Sequence, residues 1–129
     1  MISITSREAH LMTSHVNNPA AQPLQNPVTP LKAAFDAIGG KWKLIIIYWL
    51  AESPQDFATL RSVIPGITPR VLTQQIGELM RDDIVRLDPA GDAQAIYALS
   101  DYGLSLLPLV ESVRVWGSGH LDRQHSLVR

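Results

Sequence analysis

The chain contains no cysteine. Disulfides, thiolate metal ligands and thiol redox sensing are therefore outside its chemistry. It also lacks a long hydrophobic run. The most apolar stretch, LIIIYWLA at 44–51, falls well short of the roughly 18 residues needed to cross a bilayer and suits a buried core helix instead. Charge of one sign is missing too: 11 Lys and Arg against 12 Asp and Glu leave a net charge of −1, so no global basic field draws the protein to nucleic acid and any such binding has to be local. The N-terminus shows no basic region followed by an apolar stretch and a small-residue cleavage site. No signal peptide is expected, and the cytoplasm is the default location. Gly39-Gly40 precedes a helix without the longer glycine pattern that cradles phosphates.

What is present is a globular composition. With 129 residues, 46% hydrophobic and 18% charged, the chain is long enough to bury one core. Residues 1–26 are rich in Ser, Thr, Asn, Gln and Ala without a sustained apolar period, and read as a flexible or dimer-associated arm. The domain itself is expected at 27–121, with a short tail at 122–129. Pro27 and Pro30 punctuate its start, and a first helix is expected from about residue 31 to 38, ended by Gly39-Gly40. In KWKLIIIYWLAE, apolar residues leave almost no polar face, which marks the domain's central pillar.

The stretch with the most information is ITPRVLTQQIGELMR at 67–81. Thr68 can cap a helix whose first position is Pro69, and Leu72, Ile76, Leu79 and Met80 recur at helical spacing on an inward face. The outward set is Arg70, Thr73, Gln74, Gly77 and Arg81. Such side chains can bond phosphates and base edges, and the small Gly77 permits close approach. A short helix at 58–64, with Leu60, Val63, Ile64 and Phe57 facing inward, precedes it across the Pro65-Gly66 turn, which is a helix-turn-helix arrangement.

Ile84-Val85-Arg86-Leu87 and Ala95-Ile96-Tyr97-Ala98-Leu99 have strand character and flank a turn, so a hairpin comes after the helix-turn-helix. A hairpin in that place is a wing. Ser100 then caps a last helical region that Pro108 should bend or divide, with Leu106, Leu109, Val110, Val113, Trp116 and Leu121 at helical intervals. That stripe is too apolar for a free surface, and together with the N-terminal arm it suits a two-fold dimer interface. The expected fold is mainly α with a small β-hairpin wing, an α+β winged helix-turn-helix whose terminal helices form a homodimer interface. Two recognition helices related by a dyad would enter successive major grooves roughly 34 Å apart and read a palindrome.

Several separated motifs occur in order: Pro27-Val28, IGGKWKLIII, F-x-x-LR from Phe57 to Arg61, PGITPRVLTQQIGEL, Y-x-L-S from Tyr97 to Ser100, YG-x-SLLP and Trp116-Gly117. Through them the chain resembles the HxlR-type transcriptional regulators, relatives of the MarR group. The resemblance implies a bacterial winged-helix dimer that binds operator DNA, with the helix from Pro69 as recognition helix and the terminal helices as dimer contacts. Two positions depart from the family pattern. Many members carry a cysteine just before the Pro-Val, where this chain has Asn26, so a thiol switch is excluded there. The wing tip, often basic in the family, reads Asp88-Pro89-Ala90-Gly91-Asp92-Ala93-Gln94, and its carboxylates would be repelled by phosphate.

Candidate DNA contacts lie on the helix from Pro69 and on its neighbours. Arg70 can make a bidentate bond to a guanine edge or clamp a phosphate, against the plainer alternative of a solvated arginine. Thr73 and Gln74 lie one turn on and can reach a thymine methyl and an adenine edge. Thr68 and Pro69 open the helix near the backbone, and Arg61 sits on the helix that crosses it. Lys43, with Lys41, either anchors phosphate or snorkels beside Trp42. Arg86 and Gln94 are the obvious basic or polar substitutes in the wing. No catalytic residue, metal site or cofactor is expected: His10, His15, His120 and His125 form no close ligand pair, with His120 and His125 the nearest approach to one, and Asp82-Asp83 most simply end the recognition helix. The expected function is a sequence-specific, homodimeric, DNA-binding regulator, a repressor by preference, with double-stranded operator DNA as partner and a small molecule or abundance as the control. The rivals are a winged-helix protein-interaction module, favoured by the neutral charge and acidic wing, and a small-molecule sensor with tryptophans and Tyr48 lining a pocket near the dimer interface.

Overall fold

Asn26 fixes where the first helix of the described residues begins. In the computed structural model, which describes residues 26–91 and 93–128, its Oδ1 accepts the Val28 N–H at 2.9 Å and starts helix α1 (Val28–Ile38). The helix therefore begins earlier than expected, and Pro30 sits within the first turn, where its missing N–H costs nothing. The arm expected at 1–26 lies outside the described residues except for Asn26. Met1–Asp36 and Ala37–Arg129 are two separate units, and the hydrophobic core belongs to the second.

Helix α2 (Lys43–Glu52) is the pillar, but only on one side. Ile46, Ile47 and Leu50 are buried, whereas Ile45 and Tyr48 stay 38% and 37% exposed. A helix that is apolar all round has more than one face to bury, and here a single chain covers only part of it. Asp56 then ends a two-residue strand β1 (Gln55–Asp56) and caps helix α3 (Phe57–Val63), its Oδ1 accepting the Thr59 N–H at 2.7 Å. Gly66, at φ +85°, makes the turn into helix α4 (Pro69–Arg81), a backbone region that glycine enters freely. Thr68 Oγ1 accepts the Val71 N–H at 3.1 Å, and Leu72, Ile76 and Leu79 enter the core with Leu60, Ile64, Ile46 and Ile47.

Asp83 takes φ +61° at the end of α4, a left-handed position that glycine or asparagine more often fills. Strands β2 (Val85–Leu87) and β3 (Ile96–Leu99) form the expected hairpin, with Val85 opposite Leu99 and Leu87 opposite Tyr97. Strand β1 adds to the free edge of β3, with Gln55 opposite Tyr97, giving a three-stranded antiparallel sheet in the order β1-β3-β2. Sequence pattern does not reveal that strand, because two residues are too short to show an alternation.

Ser100 joins the wing to the last helices. Its Oγ donates to the Asp83 carbonyl at 2.6 Å and accepts the Gly103 N–H at 2.8 Å, capping the short helix α5 (Asp101–Leu104). Gly103 is pressed so closely on Ile84 that a Cβ there would overlap the Ile84 carbonyl oxygen. Of the bend or division expected at Pro108, the structure shows a division: the helix breaks at 105–106 and restarts as α6 (Leu107–Val128), where proline falls in the first turn. Helix α6 runs on through 122–128, where a tail was expected. The fold is mainly helical with a small antiparallel sheet, a winged helix-turn-helix.

Candidate nucleic-acid interface

Helices α3 and α4, joined by the tight turn at Gly66, carry the polar surface. With Leu72, Ile76 and Leu79 buried, the helical period leaves Arg70, Thr73, Gln74, Gly77 and Arg81 exposed along the opposite side of α4. Thr68 and Pro69 are exposed at its start, where Thr68 also spends its hydroxyl on the cap. Arg61 is exposed in the last turn of α3. Arg61, Arg70 and Arg81 form no ion pair with any described residue. A Cβ added at Gly77 would meet nothing within 4 Å, so the middle of the helix presents an open, low surface.

Lys43 departs from the expected exposed phosphate anchor. It is buried, and its Nζ lies 2.6 Å from Glu78 Oε1. An ammonium so placed is withdrawn from solvent and neutralised, so it adds nothing to a positive stripe with Arg61 and Arg70. Its neighbour Lys41 is exposed, with Nζ 4.7 Å over the Trp42 ring, a cation–π contact. Glu78 accepts from two directions: Lys43 at Oε1 and the Gln74 amide, Nε2 to Oε2 at 3.3 Å. The Lys43 hydrogen bond and charge hold the Glu78 carboxyl below the usual glutamate range, with smaller help from Gln74 and Arg81. Sequence pattern gives Glu78 no role on this hardly acidic helix, because its partner lies on another helix.

In the wing, Arg86 is exposed, and among the described residues its Nη1 donates to the neighbouring Leu87 carbonyl, at 3.4 Å. Gln94 is turned back: its Nε2 donates to Asp56 Oδ2 at 2.7 Å, tying the return strand to the start of α3. The Thr59 backbone N–H, and then Gln94, hold the Asp56 carboxyl below its ordinary value. One of the two Gln94 amide hydrogens is thereby committed within the protein. Asp88 Oδ1 accepts the Ala90 N–H at 2.9 Å, so the first wing carboxylate shapes the turn, while Asp92 lies outside the described residues.

The five residues expected at a dimer interface fall into two groups. Leu106 and Val110 pack against the chain's own core. Leu109, Val113 and Trp116 are exposed at 40%, 45% and 69%, and Trp116 stacks on His120 with ring centroids 5.0 Å apart. Between α2 and α6 an open apolar groove of about 390 Å³ is lined by Leu44, Ile45, Tyr48, Val110, Val113 and Arg114. Glu111 grips the Arg114 guanidinium at 2.9 and 2.7 Å, which keeps its charge satisfied beside the groove. Among the described residues, no three His, Asp or Glu side chains stand together as a metal site, and no helix is long and apolar enough to cross a membrane.

Comparison with known proteins matches residues 37–125 to the HxlR-like helix-turn-helix family. The uncharacterized HTH-type transcriptional regulator YdeP of Bacillus subtilis is 34% identical over 96 residues, covering 73% of this chain and 75% of that one. YybR of the same organism, also an uncharacterized HTH-type transcriptional regulator, is 35% identical over 95 residues, covering 72% and 76%. Among solved structures, the redox regulator HypR in its reduced form superposes with a TM-score of 0.69 at 34% identity, over 75% of this chain and 98% of that one. Whatever redox chemistry HypR performs, this chain has no cysteine with which to perform it through a thiol.

Proposed function

The chain belongs to the HxlR-like helix-turn-helix family, winged-helix transcriptional regulators with bacterial relatives, and from that premise we propose that it acts as a cytoplasmic homodimeric repressor on a palindromic DNA operator. The observation that carries this reading is the outward side of α4. Arg70, Thr73 and Gln74 stand exposed along the first turns of a helix whose start is fixed by Thr68 and Pro69, with Arg61 exposed on the preceding helix. A recognition helix reads base edges from its N-terminal half while the helix before it crosses the backbone. Arg70 serves a guanine edge or a phosphate, Thr73 a thymine methyl and Gln74 an adenine edge. Arg61 serves the backbone. Thr68 and Pro69 approach the phosphates, and Arg86 is the remaining wing cation. Lys43, buried and paired with Glu78, supports the reading surface and does not touch DNA, whereas Gln94, with one amide hydrogen on Asp56, keeps its other hydrogen and its oxygen for a backbone contact.

Homodimerisation rests on the exposed Leu109, Val113 and Trp116 together with the uncovered side of α2. A run of apolar side chains of that kind on a small domain is a surface that a second copy would cover. The apolar groove between α2 and α6 also favours a second reading of control, in which a small apolar effector enters it and shifts the dimer. Regulation by a cysteine thiol is absent from either reading.

Electrophoretic titration of the purified protein against duplex DNA from upstream of its own gene tests the proposal. A shifted complex whose stoichiometry is two chains per duplex, and whose affinity falls on competition with its own sequence but not with unrelated duplex, is the expected result. Equal competition by both duplexes would overturn it.

A further inference from the structure

Gln74, the side chain expected to meet an adenine edge, is not free to turn. Its Nε2 donates to Glu78 Oε2 at 3.3 Å across one turn of α4, and the other oxygen of that carboxylate is held by the buried Lys43 at 2.6 Å. A carboxylate only accepts, so the amide must present its nitrogen to Glu78, and the orientation of Gln74 comes from chemistry. Lys43 is buried and lies on a different helix, so it anchors Glu78 to the core and keeps it from swinging outward with the amide. The ion pair also neutralises an acidic group that would otherwise repel an approaching phosphate.

We propose that Glu78, positioned by Lys43, sets the base specificity of Gln74, making it selective for adenine over guanine. The proposal rests on α4 being the recognition helix. In the major groove adenine offers an acceptor at N7 and a donor at N6, whereas guanine offers two acceptors, N7 and O6. A carboxamide has two N–H donors and one oxygen acceptor. A freely turning glutamine can give both hydrogens to guanine or one hydrogen and its oxygen to adenine. Once one hydrogen is committed to Glu78, a single donor and the oxygen remain. That set matches adenine and leaves one guanine acceptor unpaired. Glu78 is a positioning residue and touches no base itself.

The test is binding-site selection from a randomised duplex library with four proteins: wild type, Gln74→Ala, Glu78→Gln and the double variant Lys43→Met with Glu78→Met. Removing Glu78 alone would strand the buried Lys43 charge and risk unfolding, whereas the double variant replaces the pair with apolar chains of similar length. Circular dichroism and sedimentation establish that each variant is folded before selection. Wild type is expected to enrich adenine at one position per half-site, and Gln74→Ala to lose that preference. In the double variant the adenine-to-guanine preference there should fall from about tenfold or more to below about threefold, the range that one bidentate contact supplies. In Glu78→Gln the single amide oxygen is claimed by the buried Lys43 ammonium, so the amide nitrogen faces Gln74 and turns the Gln74 oxygen inward; the adenine preference should be lost or pass to guanine, which a merely structural role for the carboxylate does not predict. A folded double variant that prefers adenine as strongly as wild type overturns the proposal, as does a Gln74→Ala protein with an unchanged preference at every position. Should the double variant not fold, an undiminished adenine preference in folded Glu78→Gln overturns the proposal and its loss sustains it. If wild type enriches no sequence at all, the DNA-reading role of α4 fails first and the proposal falls with it.

Discussion

Gly103 offers a stability experiment whose sign depends on one close contact. In α5 its Cα lies against the Ile84 backbone, and a methyl group would overlap the Ile84 carbonyl oxygen. That oxygen also accepts the Ser100 N–H at 2.9 Å, so moving it away disturbs the joint between β2 and the last helices. Backbone cannot rotate aside as a long side chain can. The cost of such overpacking is about 1–3 kcal/mol, and weakening the Ser100 bond adds about 1 kcal/mol. Alanine's better helix propensity returns about 1 kcal/mol. Gly103→Ala should therefore destabilise the fold by about 1–3 kcal/mol. Gly77→Ala is the control: it makes the same chemical change in a helix where nothing lies within 4 Å, so it should stabilise by about 0.5–1 kcal/mol. Urea denaturation at one fixed protein concentration, followed by circular dichroism, measures both. A Gly103→Ala protein as stable as wild type would refute the reasoning, and so would equal shifts of the same sign at both positions.

Three further outcomes are expected. Arg70→Ala should weaken binding to the selected operator by about 1–3 kcal/mol per half-site and relax one base position in each, whereas Arg61→Ala should weaken all duplexes alike and reduce the salt slope by about two, one for each half-site, both read by titration at several salt concentrations. Glu78 has a lowered pKa in the folded protein, so the stability it confers is fully present above the ordinary glutamate range and drains away as pH falls through the lowered value. The difference in melting temperature between wild type and Glu78→Gln should accordingly be largest near neutrality and shrink in acid, and a pH-independent difference would contradict the ion pair. Replacing the exposed Leu109 and Val113 by Asp should shift sedimentation from dimer to monomer with the far-ultraviolet spectrum unchanged, and a variant that remains dimeric would move the interface elsewhere.

The order of elements is legible in the sequence because each carries its own local signal. Thr68-Pro69 marks a helix start, Ser100 another, Gly66 a turn, and the period of Leu72, Ile76 and Leu79 an inward face. The motif order from IGGKWKLIII to Trp116-Gly117 carries the family as well. What escapes the sequence depends on distant partners. Lys43 and Glu78 meet only when α2 and α4 pack, and Gln94 reaches Asp56 only when β1 and β3 pair. Both lysine and glutamine read as exposed and available until those partners are placed. The early start of α1 has a visible cause in Asn26, whose side chain acts as a cap, yet the prolines around it place the expected boundary later. The length of α6 exceeds the expectation because residues 122–128 lack the apolar stripe, and a helix that is mostly exposed there needs none to continue.

The Ser100 hydroxyl sits where two parts of the molecule are pinned to each other: it holds the carbonyl of Asp83, just past α4, and the amide of Gly103, at the start of the helices that lead to the exposed apolar side of α6. With no flexible connector there, the angle between the two is set by the fold. In a dimer, that rigidity makes distance a form of recognition. Inserting one base pair between half-sites turns the second by about a tenth of a helical revolution, and a molecule with a pinned joint has no slack with which to accommodate it. Spacer length would then discriminate among sites as sharply as any base the recognition helices touch.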